Sequence, residues 1–165
     1  EYKERSMNID RVQRQLEIDE GVEFEIYEDH LGYPTFGVGH LVLKTDEEYG
    51  KPVGSRVDSD RVNSAFKHDL AVAVDECTIL YSMWDTYPEE VQEVLVNMLF
   101  NLGRPRLSKF KNFKAALDSR CWKLAATEGR DSLWYRQVSN RAERLMKRLE
   151  NVAEDSRNTT DTTSS

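Results

Sequence analysis

The sequence predicts an α+β fold, in which a small antiparallel β lobe is joined by a long helix to a larger all-helical lobe. One alternating stretch near the N terminus, one long helical pattern after it and only helical patterns thereafter predict this order. With 165 residues, 39% of them hydrophobic, the chain fits one folded domain. The predicted boundaries are 1–155 for the domain, with 21–57 as β lobe, 58–80 as connecting helix and 81–155 plus 6–20 as helical lobe.

The first elements are a helix and two strands. Ile9, Val12 and Leu16 recur at helical spacing over 6–20, and Gly21 ends that helix. Over 22–26, apolar and acidic residues alternate with the period of two that is typical of a half-buried strand. We expect a turn, a second strand over 33–38 and then a loop over 44–57.

The rest of the chain has a helical pattern. Asp58 and its neighbours form a helix-start signal, and apolar residues follow at spacings of three and four as far as residue 80. A second apolar stripe covers 91–102, shorter helices follow, and Ser139 begins the last one. The stretch 156–165 consists almost entirely of Ser, Thr, Asp and Asn, so we expect a disordered tail.

Composition excludes several classes of protein. A formal charge of −7 lacks the basic footprint of a nucleic-acid-binding protein. No apolar run is long enough to span a membrane. The three histidines show no metal-ligand spacing, and we expect no cofactor and no metal. The two cysteines are too few for a disulfide framework, which leaves two free thiols or one disulfide.

The stretch from Asp19 to His40 carries the candidate chemistry. Glu20 precedes the helix-ending glycine, where the helix dipole disfavours a negative charge, and this suits a group that must hold a proton. Asp29 ends the first strand, and Thr35 lies on the second. A carboxylic acid, a carboxylate and a hydroxyl in one cleft are the groups that glycoside hydrolysis needs. A solvated surface Glu and a turn-forming Asp are the structural alternatives.

Four motifs in order resemble those of the phage-type, T-even phage lysozyme-like family. They are D-E-G-x-x-x-x-x-Y-x-D-x-x-G-Y-P-T-x-G-x-G-H at 19–40, N-M-L-F-N-L-G at 97–103, G-R-D-S-L-W-Y at 129–135 and N-R-A-E-R at 140–144. The resemblance covers roughly residues 8–150 and implies a lysozyme-like fold. It also implies hydrolysis, with inversion, of the β-1,4 bond between N-acetylmuramic acid and N-acetylglucosamine in bacterial peptidoglycan.

The resemblance assigns roles to residues that match the motifs. Glu20 matches the general acid of the family, Asp29 its second carboxylate, and Thr35 the threonine that holds the attacking water with that aspartate. Three further residues match supporting positions: His40 and Asp69, which are implied to form a pair that ties the lobes together, and Arg141, which is implied to lie near the acid. Substrate-binding positions match Leu41, Phe100, Asn101, Phe113 and Glu128.

Some positions depart from the family pattern. Phe113 and Glu128 stand where other side chains bind the sugar, so we expect altered contacts there, with stacking by Phe113. The acidic charge departs from the basic T-even enzyme, and we expect weaker attraction to anionic walls.

We expect a monomer whose partner is peptidoglycan. It would be located in the host cytoplasm before release if it is an endolysin, or secreted if it is a eukaryotic defence enzyme. A non-catalytic peptidoglycan-binding or tail-associated structural relative is the alternative.

Overall fold

A computed structural model describes the backbone of residues 7–164 and the side chains of residues 7–152. It confirms the α+β class: a three-stranded antiparallel sheet in the order β1-β2-β3 lies among helices. The strands are β1 (Glu23–Glu28), β2 (Pro34–Gly37) and β3 (His40–Leu41). The helices are α1 (Ile9–Glu20), α2 (Ser59–Leu80), α3 (Glu89–Leu102), α4 (Arg104–Leu107), α5 (Lys111–Asp118), α6 (Trp122–Arg130), α7 (Leu133–Gln137) and α8 (Ser139–Ser164), with a 3-10 turn at Trp84–Thr86.

The chain forms two compact units, and the boundary between them falls inside α2. The sheet-bearing unit is Ile9–Val72, which contains α1, the sheet and the first part of α2. The helical unit begins at Ala73 and contains α3 to α8. Helix α1 therefore clusters with the sheet, whereas the sequence predicts that 6–20 belongs with the helical lobe. A hydrogen bond from Gln13 in α1 to Asn63 in α2, 3.0 Å long, is one contact that holds α1 there.

The sheet-bearing unit has a short sheet with fixed register. Thr35 in the central strand faces Tyr27 on one side and Leu41 on the other. The outer edge of β1 is also occupied, because Ile26 exchanges backbone hydrogen bonds with Gly54 and Ser55 at 2.8 and 2.9 Å. This pairing extends the sheet into the predicted loop. Ile26 and Phe36 are fully buried and supply much of the apolar interior of this unit.

The helical unit has α3 as its most buried element. The predicted apolar stripe is confirmed, since Val91, Val94, Leu95 and Met98 are all fully buried. The opposite face of α3 is buried as well: Gln92 donates a 2.8 Å hydrogen bond to the backbone carbonyl of Trp84. A helix covered on all sides needs such internal partners for its polar side chains.

Further predictions concern the C-terminal stretch, the two thiols and membrane-spanning helices. Helix α8 extends through Ser164, over most of the stretch for which the sequence predicts a disordered tail, and its side chains are described as far as Val152. Disorder of that tail stays a prediction. Cys77 is a buried free thiol and Cys121 an exposed one. Within the described residues, no helix is both long and apolar enough to cross a membrane.

Candidate active site

Glu20 is the last residue of α1, and its carboxyl group lies against the turn between β2 and β3. Gly21 ends the helix with a φ of 81°, and this left-handed conformation turns the chain back toward the sheet. A Cβ built on Gly39 would stand 3.1 Å from Glu20 Oε1, so only glycine leaves this room for the carboxyl group. Glu20 Oε2 is buried from solvent. The G-x-G spacing before His40 signals a close approach to the backbone, but the sequence does not show that Glu20 is the group that approaches.

Asp29 follows β1 and caps the turn that leads into β2. Its Oδ1 accepts hydrogen bonds from the backbone N–H groups of Leu31 and Tyr33, both 2.9 Å long. The hydrogen bond from Tyr33, with a further one from Leu31, holds the pKa of the Asp29 carboxyl below its ordinary value. Both bonds end on Oδ1, and in the described part of the chain Oδ2 accepts none. Asp29 is therefore an ionised carboxylate with one oxygen available to water.

Thr35 occupies the centre of the sheet. Its side chain is only 4% exposed, and Oγ1 donates a 2.9 Å hydrogen bond to the backbone carbonyl of Tyr33. The hydroxyl proton is thereby engaged, so the lone pairs of Oγ1 are oriented toward any donor that approaches. A water molecule is such a donor.

The central strand separates the two carboxyl groups. Asp29 lies beside Tyr33, to which it is joined by a 2.9 Å backbone hydrogen bond at the start of β2. Glu20 lies beside Gly39, just beyond the end of β2. Each strand residue adds about 3.3 Å, so the four steps from residue 33 to residue 37 span about 13 Å of backbone. Thr35 stands midway, and the alternation of strand side chains puts it on the same face as the register position of Asp29.

His40 in β3 is held between two carboxylates. Its Nδ1 lies 2.7 Å from Asp69 Oδ2 and its Nε2 lies 2.8 Å from Asp46 Oδ2, while the side chain is 5% exposed. Burial lowers the pKa of His40, but the hydrogen bonds and charges of Asp69 and Asp46 outweigh it and raise that pKa. Both ring nitrogens can donate to these carboxylates only in the imidazolium form. The resemblance implies Asp69 as a partner, whereas Asp46 was missed.

Arg61 continues this network. It bonds Asp46 at 3.1 Å and Glu48 at 2.8 and 2.9 Å, and Glu48 is almost fully buried. The hydrogen bond to Glu48 is the main cause of the raised pKa of Arg61. Since β3, the following loop and α2 each contribute a charged side chain, the network fixes the backbone near Thr35.

The predicted substrate-binding residues other than Leu41 belong to the helical unit. Phe113 is 1% exposed and packs edge-to-face against Phe110, with ring centroids 6.0 Å apart. This ring has no exposed face for a sugar, so the expected stacking is corrected to a role in the core. Phe100 and Glu128 are half-buried. Asn101 accepts a 2.7 Å hydrogen bond from the indole N–H of Trp134, which reduces the freedom of its amide to contact substrate.

Arg141, the predicted neighbour of the acid, lies in α8. Its Nε donates a 2.8 Å hydrogen bond to the side-chain oxygen of Asn97, and Nη2 donates a 3.3 Å bond to the backbone carbonyl of the same residue. The described side chains include no group of three or more His, Cys, Asp or Glu that could hold a metal ion.

Known proteins resemble this chain over most of its length. The phage lysozyme family model matches residues 17–151. A pre-baseplate central spike protein of Enterobacteria phage T4 is 30% identical over 79% of this chain, which spans 26% of the length of that protein. A probable T4-type lysozyme of Dictyostelium discoideum is 26% identical over 86% of this chain and 95% of its own length. The endolysin of Salmonella phage P22 is 27% identical over 68% of this chain and 81% of its own length. The chain belongs to the phage lysozyme family.

Proposed function

We propose that the protein is an endo-acting N-acetylmuramidase. It cleaves the β-1,4 bond between N-acetylmuramic acid and N-acetylglucosamine of bacterial peptidoglycan with inversion, and its role is lysis of the bacterial cell wall. Membership of the phage lysozyme family makes it a glycoside hydrolase of peptidoglycan. The observation that carries the finer proposal is the placement of Glu20 and Asp29 toward opposite ends of β2, with Thr35 between them.

Glu20 is the proposed general acid. Its carboxyl group packs against the backbone at Gly39 with one oxygen buried, which fixes its position beside the turn. A positioned acid that protonates the glycosidic oxygen contributes about 10²- to 10⁴-fold to the rate. The leaving sugar departs with that proton.

Asp29 and Thr35 are the proposed water-binding pair. Asp29 presents Oδ2 to water as a hydrogen-bond acceptor, and Thr35 presents the lone pairs of its hydroxyl oxygen. Inverting glycosidases keep their two carboxyl groups about 6.5–9.5 Å apart, so that water fits between the base and the sugar. About 13 Å of backbone from residue 33 to residue 37 leaves room for that arrangement.

The relatives support alternative biological roles for this activity. The likeness to a phage endolysin supports release from a host cytoplasm to the wall, whereas the likeness to a Dictyostelium protein supports a secreted defence enzyme. The likeness to a phage spike protein supports a tail-associated variant of the same chemistry. We propose a monomer that binds peptidoglycan and neither nucleic acid nor membrane, in keeping with its charge of −7.

The decisive experiment compares Glu20→Gln with the wild type in clearing of purified peptidoglycan. Glu25→Gln is the matched control, since Glu25 is an exposed carboxylate in β1. We expect Glu20→Gln to fold normally and to lose activity by several orders of magnitude, while the control clears like the wild type. NMR of the first product anomer tests inversion. Turnover by Glu20→Gln would remove the acid assignment, and a β-anomer as first product would remove the inverting mechanism.

A further inference from the structure

Tyr27 shares a row of the sheet with Thr35 and Leu41. It faces Thr35 across β1 and β2, and Thr35 faces Leu41 across β2 and β3. Residues directly opposite each other in antiparallel strands project from the same face. Tyr27 and Leu41 therefore flank the hydroxyl of Thr35 on either side, on the face that carries the proposed chemistry.

This row lies between the proposed acid and the proposed base. Tyr27 precedes Asp29 by two residues on β1, and Glu20 lies beyond the opposite end of β2. Burial and then the negative charges of Glu20, Glu23 and Asp29 raise the pKa of the Tyr27 phenol. Both catalytic carboxyls thus act on this phenol electrostatically, and the phenol keeps its proton throughout the neutral range.

The hydroxyl of Tyr27 makes no hydrogen bond to any group in the described part of the chain, although its ring is half-buried. Two other tyrosines behave differently: the Tyr87 hydroxyl bonds Asp118 at 3.1 Å, and the Tyr135 hydroxyl bonds Glu143 at 2.8 Å. Buried tyrosine hydroxyls ordinarily find such a partner. A half-buried ring with an unused donor, within electrostatic reach of Glu20 and Asp29, is suited to a partner that the chain itself does not supply.

We propose that Tyr27 is a substrate-binding residue whose hydroxyl donates a hydrogen bond to the glycan at the cleavage point, to a ring hydroxyl or an N-acetyl carbonyl of the sugar that covers Thr35. The inference rests on the proposed function, because it takes the ligand to be a glycan of amino sugars. The three residues of this row then have different roles. Thr35 holds water, Tyr27 holds the polar edge of the sugar, and Leu41, which is 44% exposed, offers an apolar surface to its ring face.

Two other roles for Tyr27 give different results in experiment. A packing role would make the ring, and not the hydroxyl, the important part. A positioning role through Glu20 would change the protonation of the acid and leave affinity for the glycan unchanged. Removal of the hydroxyl alone separates all three, because Tyr27→Phe keeps the ring and its burial. Tyr49→Phe is the matched control, since Tyr49 is an exposed tyrosine in the loop that follows β3.

The test uses a purified soluble tetrasaccharide of alternating N-acetylglucosamine and N-acetylmuramic acid. Its Kd is measured by calorimetry in the non-cleaving Glu20→Gln background, with and without the Tyr27→Phe substitution. The constants kcat and KM and the pH–rate profile are measured with Glu20 intact. We expect Tyr27→Phe to raise Kd and to lower kcat/KM by about tenfold, since one hydrogen bond to a ligand is lost. The midpoint of thermal unfolding and the pH–rate profile should stay unchanged, and Tyr49→Phe should behave like the wild type.

An unchanged Kd overturns the inference. An unchanged Kd with a shifted pH–rate profile assigns the hydroxyl to Glu20, and an unchanged Kd with unchanged kinetics assigns it no role. If Tyr27→Phe fails to fold, 3-fluorotyrosine at position 27 replaces it in the measurement. An unchanged Kd for that variant then assigns Tyr27 a structural role instead of a substrate-binding one. If the wild type binds the tetrasaccharide without cleaving it, the proposed function fails, while the effect of Tyr27→Phe on Kd still decides the role of Tyr27.

Discussion

The sheet-bearing unit and the helical unit both bury polar side chains, but among different amounts of apolar interior. In the sheet-bearing unit, Thr35, His40 and Glu48 are buried, while Tyr33 and Leu43 are exposed. In the helical unit the buried polar residues Gln92, Glu93 and Asn97 all lie on α3 among many buried apolar side chains, and other charged residues form networks near the surface. One of these joins Arg130 to Glu143 and Glu150, and it lowers the pKa of Glu143 to about 2.

The difference follows from what each unit can bury. A sheet of three short strands has little apolar area to remove from water, so directional hydrogen bonds and ion pairs must fix its geometry. The helices around α3 bury large apolar side chains, which stabilise without specifying the position of any reacting group. We therefore expect substitutions of the buried polar residues of the sheet-bearing unit to affect activity and its pH dependence, and substitutions in the apolar interior of the helical unit to affect stability alone.

Asp29→Asn is expected to have the largest effect on activity. The amide oxygen can still accept the two backbone N–H bonds from Leu31 and Tyr33, so the turn should be retained. The amide nitrogen at the position of Oδ2 can no longer take a proton from water. We expect a fall in kcat of about 10³-fold with little change in the free energy of unfolding.

The matched control is Glu28→Gln, which removes the same charge from an exposed position one residue earlier. Urea unfolding and clearing of purified peptidoglycan are measured for both variants. Wild-type turnover by Asp29→Asn, or an equal loss in Glu28→Gln, would remove Asp29 from the mechanism.

The pH dependence of stability should identify His40 as the ionisable group that holds the sheet. Its folded pKa is raised above the value of about 6.5 for an unfolded histidine. As the pH rises, the unfolded chain therefore loses this proton at a lower pH than the folded chain does. The contribution of His40 to the free energy of unfolding is complete below pH ~6.5. It is lost as pH rises through the folded pKa.

The measurement is the free energy of unfolding of wild type and His40→Gln across neutral and alkaline pH. Removal of the cation between Asp46 and Asp69 should cost about 3 kcal/mol at mildly acidic pH, and the difference should shrink as the pH rises. The control variant is His68→Gln, which removes a histidine from an exposed position of α2. A constant difference at every pH would mean that His40 acts by packing and not by its charge.

Local patterns in the sequence predict much of this arrangement. The helical stripe of α3 and the existence of strand β1 depend on neighbours a few residues apart, so they are readable from the chain. The alternation in β1 is only partly matched by burial, because Ile26 is buried but Phe24 is 45% exposed. The candidate catalytic residues Glu20, Asp29 and Thr35 lie within sixteen residues of one another in sequence. Their motif is readable for the same reason, although their chemical roles stay predictions.

Contacts between distant segments could not be predicted in the same way. Asp46 meets His40 only because the loop after β3 folds back, and no periodicity signals that. Phe113 has a chemistry that suits both sugar stacking and a core, and only its burial distinguishes the two. Gly39 shows its role only when the carboxyl group of Glu20 is placed beside it.

The smallest expected effect lies in the helical unit, at the contact between α6 and α8. Gly129 lies within α6, where alanine would favour the helix by about 1 kcal/mol. A Cβ at this position would stand 2.4 Å from Met146 Sδ, and Met146 is fully buried, so its side chain must move. Overpacking costs about 1–3 kcal/mol, which exceeds the gain in helix propensity. We expect Gly129→Ala to lower the free energy of unfolding by about 1 kcal/mol without changing kcat.

A double-mutant cycle tests whether this cost arises at Met146. Met146→Val removes the atom that the new methyl group would meet, so Gly129→Ala should cost less in that background than in the wild type. Thr127→Ala, on the exposed side of the same helix, should be neutral or slightly stabilising. If Gly129→Ala lowered kcat while stability stayed constant, chemistry and stability would not be divided between the two units. The difference between the two units would then be one of packing alone. A methyl group at residue 129, remote in sequence from Glu20 and Asp29, would have changed the rate of the reaction.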